Sequence, residues 1–463
     1  MKHSIAACFL IILMTASAIV MGTLWGAAAQ DTQSPTAIEL ATLGAEVRSR
    51  LAKELGLSPD QLDDNADLVK DIGLDQGIVF YAVQSVLDSY GVERQGKELT
   101  RLSDIKAAVA QAQSLKKFTK RGFLGVSPVP SYNQTVFYVT DRKATGETAP
   151  EDYFGSERSV NGVLSYGRAE VNIPYSHKTG RIETPWLKIR ALRDPRKHIF
   201  VLKLLPTGED QFFNEVAEFG RGEGDVLVYV HGFNVSFDDA IVRAGQIAFD
   251  FGFSGAPIVF SWPSWDNVVG YNSDWGNVNW STKHIALFLE ALAARTKGRK
   301  VHLVAHSMGS KGLLNALRLL AYSGKTQEKF GSVLLCAPDF DAVLFREQIA
   351  LEVKPLAALW VVYTSKKDIA LIASEKLNMA PRLGRPVTYA EGYEIIDASE
   401  IEVTPWSVPE THSYYAVKKV VLDDMVKAIA GLAASARELN SKLVKAGTVW
   451  TFRPLAGAST SSP

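Results

Sequence analysis

Residues 301–306 (Val-His-Leu-Val-Ala-His) form a short, mostly apolar run after the charged pair Arg299 and Lys300, and residues 310–320 continue with apolar side chains at helical spacing. A buried parallel strand running directly into a helix sets Ser307 at the junction. Where such a junction carries a nucleophile, a sharp turn lifts the serine side chain above the sheet and crowds the positions two before and two after it. Only very small residues fit there, and the chain has Ala305 and Gly309. The pattern is G-x-S-x-G with alanine for the first glycine, a difference of one methyl group. The stretch predicts an α/β fold, a mostly parallel sheet flanked by helices, with a serine nucleophile at the C-terminal edge of a central strand.

The surroundings supply the rest of a hydrolytic site. Residues 226–230 (Val-Leu-Val-Tyr-Val) are a second buried-strand run, and it ends in His231-Gly232-Phe233-Asn234 ahead of an apolar helix. In folds with a nucleophile elbow, one oxyanion-hole N–H comes from the loop after such an earlier strand and the other from the residue after the nucleophile. Phe233 and Met308 are those candidates, through their main-chain amides. The chain order in these folds is serine, then acid, then histidine. His412 is the only histidine after Ser307, and it lies just before an apolar, helical C-terminal segment. Two carboxylates follow strand-like runs at the right edge: Asp368 after residues 357–365, and Asp339 after residues 333–338. Asp368 is preferred because the acid more commonly follows the later strand, with Asp339 as its rival.

These residues carry a resemblance. From about residue 136 to 415 the chain resembles the bacterial α/β-hydrolase family of unknown function within the esterase/lipase superfamily. The likeness lies in Val-Tyr-Val-His-Gly-Phe-Asn (228–234), Phe-Ser-Trp-Pro-Ser (260–264), Ala-His-Ser-Met-Gly (305–309) and His412-Ser413-Tyr414, with an entry segment at residues 136–142 and 166–174. The resemblance implies an α/β-hydrolase fold and a serine triad, and it implies no substrate.

The 463 residues exceed what one hydrophobic core usually fills, so a second, smaller domain is expected. Fifty Lys and Arg balance fifty Asp and Glu, which leaves no net field to attract nucleic acid. Met1-Lys2-His3, an apolar stretch over residues 5–24 and the small residues Gly26 to Ala29 have the regions of a secretory signal peptide, with cleavage after Ala29. A periplasmic or secreted protein is expected, the alternative being an uncleaved N-terminal anchor in the inner membrane. Cleavage leaves Cys336 as the one cysteine, so no internal disulfide is available; its place in an apolar strand reads as a core residue.

Residues 38–114 read as a small helical domain. Residues 47–112 resemble an acyl carrier protein, in Lys-Glu-Leu-Gly-Leu-Ser-Pro-Asp-Gln-Leu (53–62), Asn-Ala-Asp-Leu-Val-Lys-Asp-Ile-Gly (65–73) and a helix over residues 78–90. A carrier opens its second helix with Asp-Ser-Leu and loads phosphopantetheine on the serine; here the residues are Asp75-Gln76-Gly77. Glutamine has no hydroxyl to load, so the resemblance implies a docking or packing module, with a protein partner as one use. An unrelated helical bundle is the alternative. Residues 115–131, basic and then proline-rich, read as a linker, residues 132–445 as the hydrolase domain, and residues 446–463 as a tail.

Strands are expected over residues 135–140, 168–173 and 199–205 as the outer part of the sheet, and an amphipathic helix over residues 417–443. An insertion at residues 262–282 is rich in aromatics, and Trp262, Trp265 and Tyr271 are candidate pocket residues, with sealing a long loop onto the core the alternative use. Asp266 and Asp274 read as loop-capping carboxylates. There is no glycine-rich phosphate loop, and His302 and His306, four apart, belong to a strand and not to a helix face, so no cofactor and no metal are expected. Together these readings predict a serine hydrolase acting on a small acyl ester or thioester. The second reading is a catalytically silent envelope adaptor that keeps a hydrolase scaffold beside its carrier-like domain.

Overall fold

Val226, Val228 and Val230 pack on one face of a central strand and Leu227 and Tyr229 on the other. This two-residue alternation between two apolar layers is what a parallel strand covered by helices on both sides requires. Leu303 and Ala305 against Val304, and Val333 and Leu335 against Leu334 and Cys336, repeat it in the neighbouring strands. The molecule, a computed structural model, is described for residues 37–74, 79, 82–83, 86–87, 99–114, 131–185, 193–222, 224–265, 270–324, 329–385, 389–404, 407–444 and 447–452. These fall into two units, residues 130–463 forming most of the larger one.

The larger unit holds β1 (Ser131–Thr140), β2 (Arg142–Ala144), β3 (Phe154–Arg158), β4 (Ser165–Pro174), β5 (Phe200–Thr207), β6 (Val226–Val230), β7 (Ala256–Ser261), β8 (Val301–His306), β9 (Phe330–Cys336), β10 (Ala357–Thr364), β11 (Glu394–Asp397), β12 (Leu439–Val444) and β13 (Gly447–Phe452). All but β2 and β3, a separate hairpin, make one sheet in the order β12-β13-β11-β10-β9-β8-β6-β7-β1-β4-β5. From β13 to β1 every neighbouring pair is parallel. The pairings Val230 with Ala305 and His306 with Cys336 level the C-terminal ends of β6, β8 and β9. The loops after these three strands therefore emerge together at one edge.

Three expectations change. The loop expected over residues 262–282 is helical from Tyr271 onward, as part of Tyr271–Arg295. Its buried positions Asp274, Asn277, Val278, Ser281, Ile285, Phe288, Leu289 and Leu292 keep a helical period. The polar residues in its first half hid that period from a hydropathy reading. The final helix is Lys419–Ile429 and stops before Gly431, whose φ is 84°. The following residues turn back as β12 and β13, with Leu439, Val449 and Phe452 buried, so residues 447–452 of the expected tail belong to the sheet.

In the smaller unit, helices Ala37–Leu55 and Leu102–Ser114 and a short turn at Pro59–Gln61 enclose Val47, Leu51, Leu62, Leu68, Val83 and Ile105. Ser58 and Gln61 form a capping box at the proline turn, the Ser58 N–H donating to Gln61 Oε1 at 2.8 Å. Asp75, Gln76 and Gly77, the expected signal peptide and residues 115–130 of the linker lie outside the described residues. Among the described residues no helix is long and apolar enough to cross a membrane.

Candidate active site

Ser307 follows β8 with φ at 51°, a left-handed conformation that costs a non-glycine residue on the order of 1–3 kcal/mol. The turn is pinned to the adjacent strand: the Ser307 N–H donates to Cys336 O at 3.0 Å, and Ser307 O accepts from the Asp339 N–H at 3.1 Å. Small residues around it are a matter of contact. A Cβ on Gly309 would stand 2.2 Å from His231 O, and one on Gly232 would stand 2.9 Å from Ser307 Cβ. Ala305 fits, fully buried in β8.

The N–H groups of Phe233 and Met308 make no hydrogen bond among the described residues. Met308 is buried and Phe233 half-buried, and two unpaired main-chain donors beside a strained serine are what an oxyanion hole needs. Three side chains hold the Phe233 loop and the segment beside it. Trp262 donates its indole N–H to His231 O at 2.7 Å and stacks on the His231 ring at 4.9 Å. Arg142, buried, donates to Val235 O at 2.7 Å, Ser264 O at 3.1 Å, Gly155 O at 3.1 Å and Ser261 Oγ at 2.9 Å. Asp274 accepts from the Trp265 N–H at 2.8 Å and Ser264 Oγ at 2.5 Å. Burial pushes the Asp274 carboxyl up to about 6. Burial, with the Arg142 cation close by, holds His231 down at about 3 and therefore neutral.

Of the aromatic candidates, Trp262 is fully buried in the core under this loop and does not line an open pocket, because its ring is spent on His231. Trp265 is 44% exposed. Tyr271 is half-buried and meets the Phe233 ring at 5.5 Å. Asp274 takes the loop-binding role read for it, while Asp266 lies outside the described residues. Arg142 was missed as a site-supporting residue; its only trace in the sequence is a cation two positions after an apolar strand.

His412 ends the short helix Val408–His412. Its Nδ1 faces Asp368 Oδ2 at 2.8 Å, and Asp368 Oδ1 caps the helix Ile369–Asn378 by accepting from the Leu371 N–H at 3.0 Å. His306, next to Ser307, meets the His412 ring in a tilted arrangement at 4.6 Å and points Nε2 at His412 O, 3.3 Å away. Burial works against an imidazolium here, and the Asp368 carboxylate outweighs it, raising the His412 pKa above its ordinary value. No hydrogen bond joins Ser307 Oγ to His412 in this structure, and such contacts often close only around substrate. Asp339 is engaged elsewhere, accepting from Ser374 Oγ at 2.5 Å and Tyr271 OH at 3.0 Å. A broad concavity of about 1050 Å³ lies at the other end of the strands, beside His302, Gly331 and Ile429, and holds none of these residues.

Among solved structures, a Lactobacillus plantarum WCFS1 protein named a candidate carboxylesterase is 11% identical over 59% of this chain and 97% of its own, with a TM-score of 0.29. An ester hydrolase from the Lake Arreo metagenome is 12% identical over 63% and 86%, with a TM-score of 0.27. Aspergillus fumigatus lipase B is 11% identical over 73% and 58%, with a TM-score of 0.23. No curated protein matches the sequence. Residues 209–425 match the family described as "Alpha/beta hydrolase of unknown function", and the parallel sheet, its helical layers and the serine turn around them make an α/β-hydrolase fold.

Proposed function

We propose that the protein is a serine hydrolase that cleaves an acyl ester or thioester through a Ser307–His412–Asp368 triad. The observation that carries this reading is the His412 Nδ1–Asp368 Oδ2 contact of 2.8 Å at the sheet edge where Ser307 stands in a strained turn. Asp368 favours the Nδ1–H tautomer, which leaves the Nε2 lone pair to accept a proton. Ser307 Oγ attacks the carbonyl carbon as His412 takes its proton, and the carbonyl oxygen becomes an oxyanion against the Phe233 and Met308 N–H groups. The C–O or C–S bond breaks, and His412 returns the proton to the leaving group. Water, activated by the same histidine, then releases the acid from Ser307.

The test is labelling with a fluorophosphonate probe together with hydrolysis of 4-nitrophenyl esters. Ser307→Ala and His412→Ala are expected to abolish both, with turnover falling on the order of 10⁴-fold or more, while thermal unfolding stays close to wild type. Full activity in His412→Ala overturns the reading. Export and a docking role for residues 38–114 are part of the same proposal. N-terminal sequencing of secreted protein should begin near Gln30, and a phosphopantetheinyl transferase with coenzyme A should add no mass.

A further inference from the structure

The helix that leaves the serine turn, Gly309–Tyr322, carries a charge on its buried face. Lys311 lies four residues after Ser307 and is only 8% exposed. Its Nζ makes no hydrogen bond and no ion pair among the described residues, and it rests on the face of Trp275, 2.9 Å from the ring centroid. Arg382 is 2% exposed; its Nε donates to Ala380 O at 2.9 Å, and Nη1 stands 3.7 Å from Asp339 Oδ1. Asp339 is thus the carboxylate for two cations, and hydroxyls of Ser374 and Tyr271 already occupy it. The cluster adjoins the nucleophile: the Asp339 N–H donates to Ser307 O, and the Tyr271 ring meets Phe233.

A buried ammonium without a hydrogen-bonded partner is costly, and a protein that keeps one has a use for its donors. Neither Lys311 Nζ nor the Arg382 guanidinium is among the polar atoms sealed off without a partner, so each keeps some access to solvent. We propose that Lys311 and Arg382 bind an anionic group of the substrate, which makes the substrate class a carboxylate-bearing ester. The proposal rests on Ser307 as the nucleophile. Burial, reinforced by Arg382 and opposed by Asp339, pushes the Lys311 ammonium down to about 8, and a bound anion would raise it again.

Two matched pairs of esters locate the anion. Mono-4-nitrophenyl glutarate against 4-nitrophenyl pentanoate sets it on the acyl side, and 4-butyryloxybenzoate against phenyl butyrate sets it on the leaving group. In one pair the wild-type enzyme should favour the charged ester by about tenfold or more in kcat/KM, the worth of one or two charge-assisted hydrogen bonds. Lys311→Met should bring that ratio down about tenfold, mainly through KM, and Arg382→Gln should lower it as well. A wild-type ratio at or below one in both pairs overturns the proposal, as does a preference that survives Lys311→Met. Absent fluorophosphonate labelling of the wild-type protein overturns instead the nucleophile reading beneath it.

Discussion

Asp368 uses its two oxygens for different tasks, one capping a helix and the other facing His412. Asn caps as well as Asp does, so Asp368→Asn keeps the helix start while removing the charge. That substitution should lower kcat about 10³- to 10⁴-fold, because an amide no longer selects the productive tautomer. Since His412 must be neutral to act as base, kcat/KM should fall as pH drops through its raised pKa, and Asp368→Asn should move that acid limb to lower pH. Asp339→Asn should move the limb in the same direction but by less, and cost on the order of 2 kcal/mol in thermal or urea unfolding, since buried Arg382 loses its carboxylate. A pH–rate profile and an unfolding curve for the two variants separate these roles.

The strand–turn–helix from β8 to Gly309–Tyr322 works because backbone passes close to backbone. Gly309→Ala forces a Cβ toward His231 O, and main chain on both sides cannot give way. The shift would reach the Phe233 loop, so kcat should fall about 10²-fold or more, the worth of one oxyanion donor, with a smaller rise in KM. Kinetics of this variant on a short neutral ester provide the check. At the same scale, the helix Tyr271–Arg295 shows what local composition hides. Asp274 and Asn277 sit on its buried face because Ser264, Trp265, Arg158 and Pro263 supply polar partners. Those partners lie outside the helix, so an inward polar face reads as a loop.

Across the whole larger unit, the ion-pair network with the clearest pH signature lies outside the site. His177 has Glu183 on Nδ1 and Asp250 on Nε2, each at 2.8 Å. Burial alone would lower its pKa, and the two carboxylates reverse that and raise it to about 9. A folded pKa above the unfolded value of about 6.5 means that this stabilisation is complete below about pH 6.5 and is lost as pH rises through about 9. It amounts to on the order of 2 to 3 kcal/mol. Thermal unfolding of wild type between about pH 6 and pH 10 should show that decline, and His177→Gln should flatten it. An equal slope in the variant would assign the decline to other groups.

The sequence by itself determined what depends on neighbours along the chain. Apolar runs became strands, Ala305 and Gly309 marked the serine turn, and the order of Ser307, Asp368 and His412 left few assignments open. These follow from local sterics and from the directionality of parallel strands, which any such sequence carries with it. Only the tertiary structure decided which carboxylate meets His412, that Trp262 supports the loop from below, and that residues 439–452 return as a hairpin. It also brought Arg142 under the Phe233 loop and Lys311, Arg382 and Asp339 beside Ser307. Apart from Lys311 and the hairpin, these contacts join residues tens to hundreds of positions apart, and the register of the sheet, not the identity of adjacent residues, sets which of them touch.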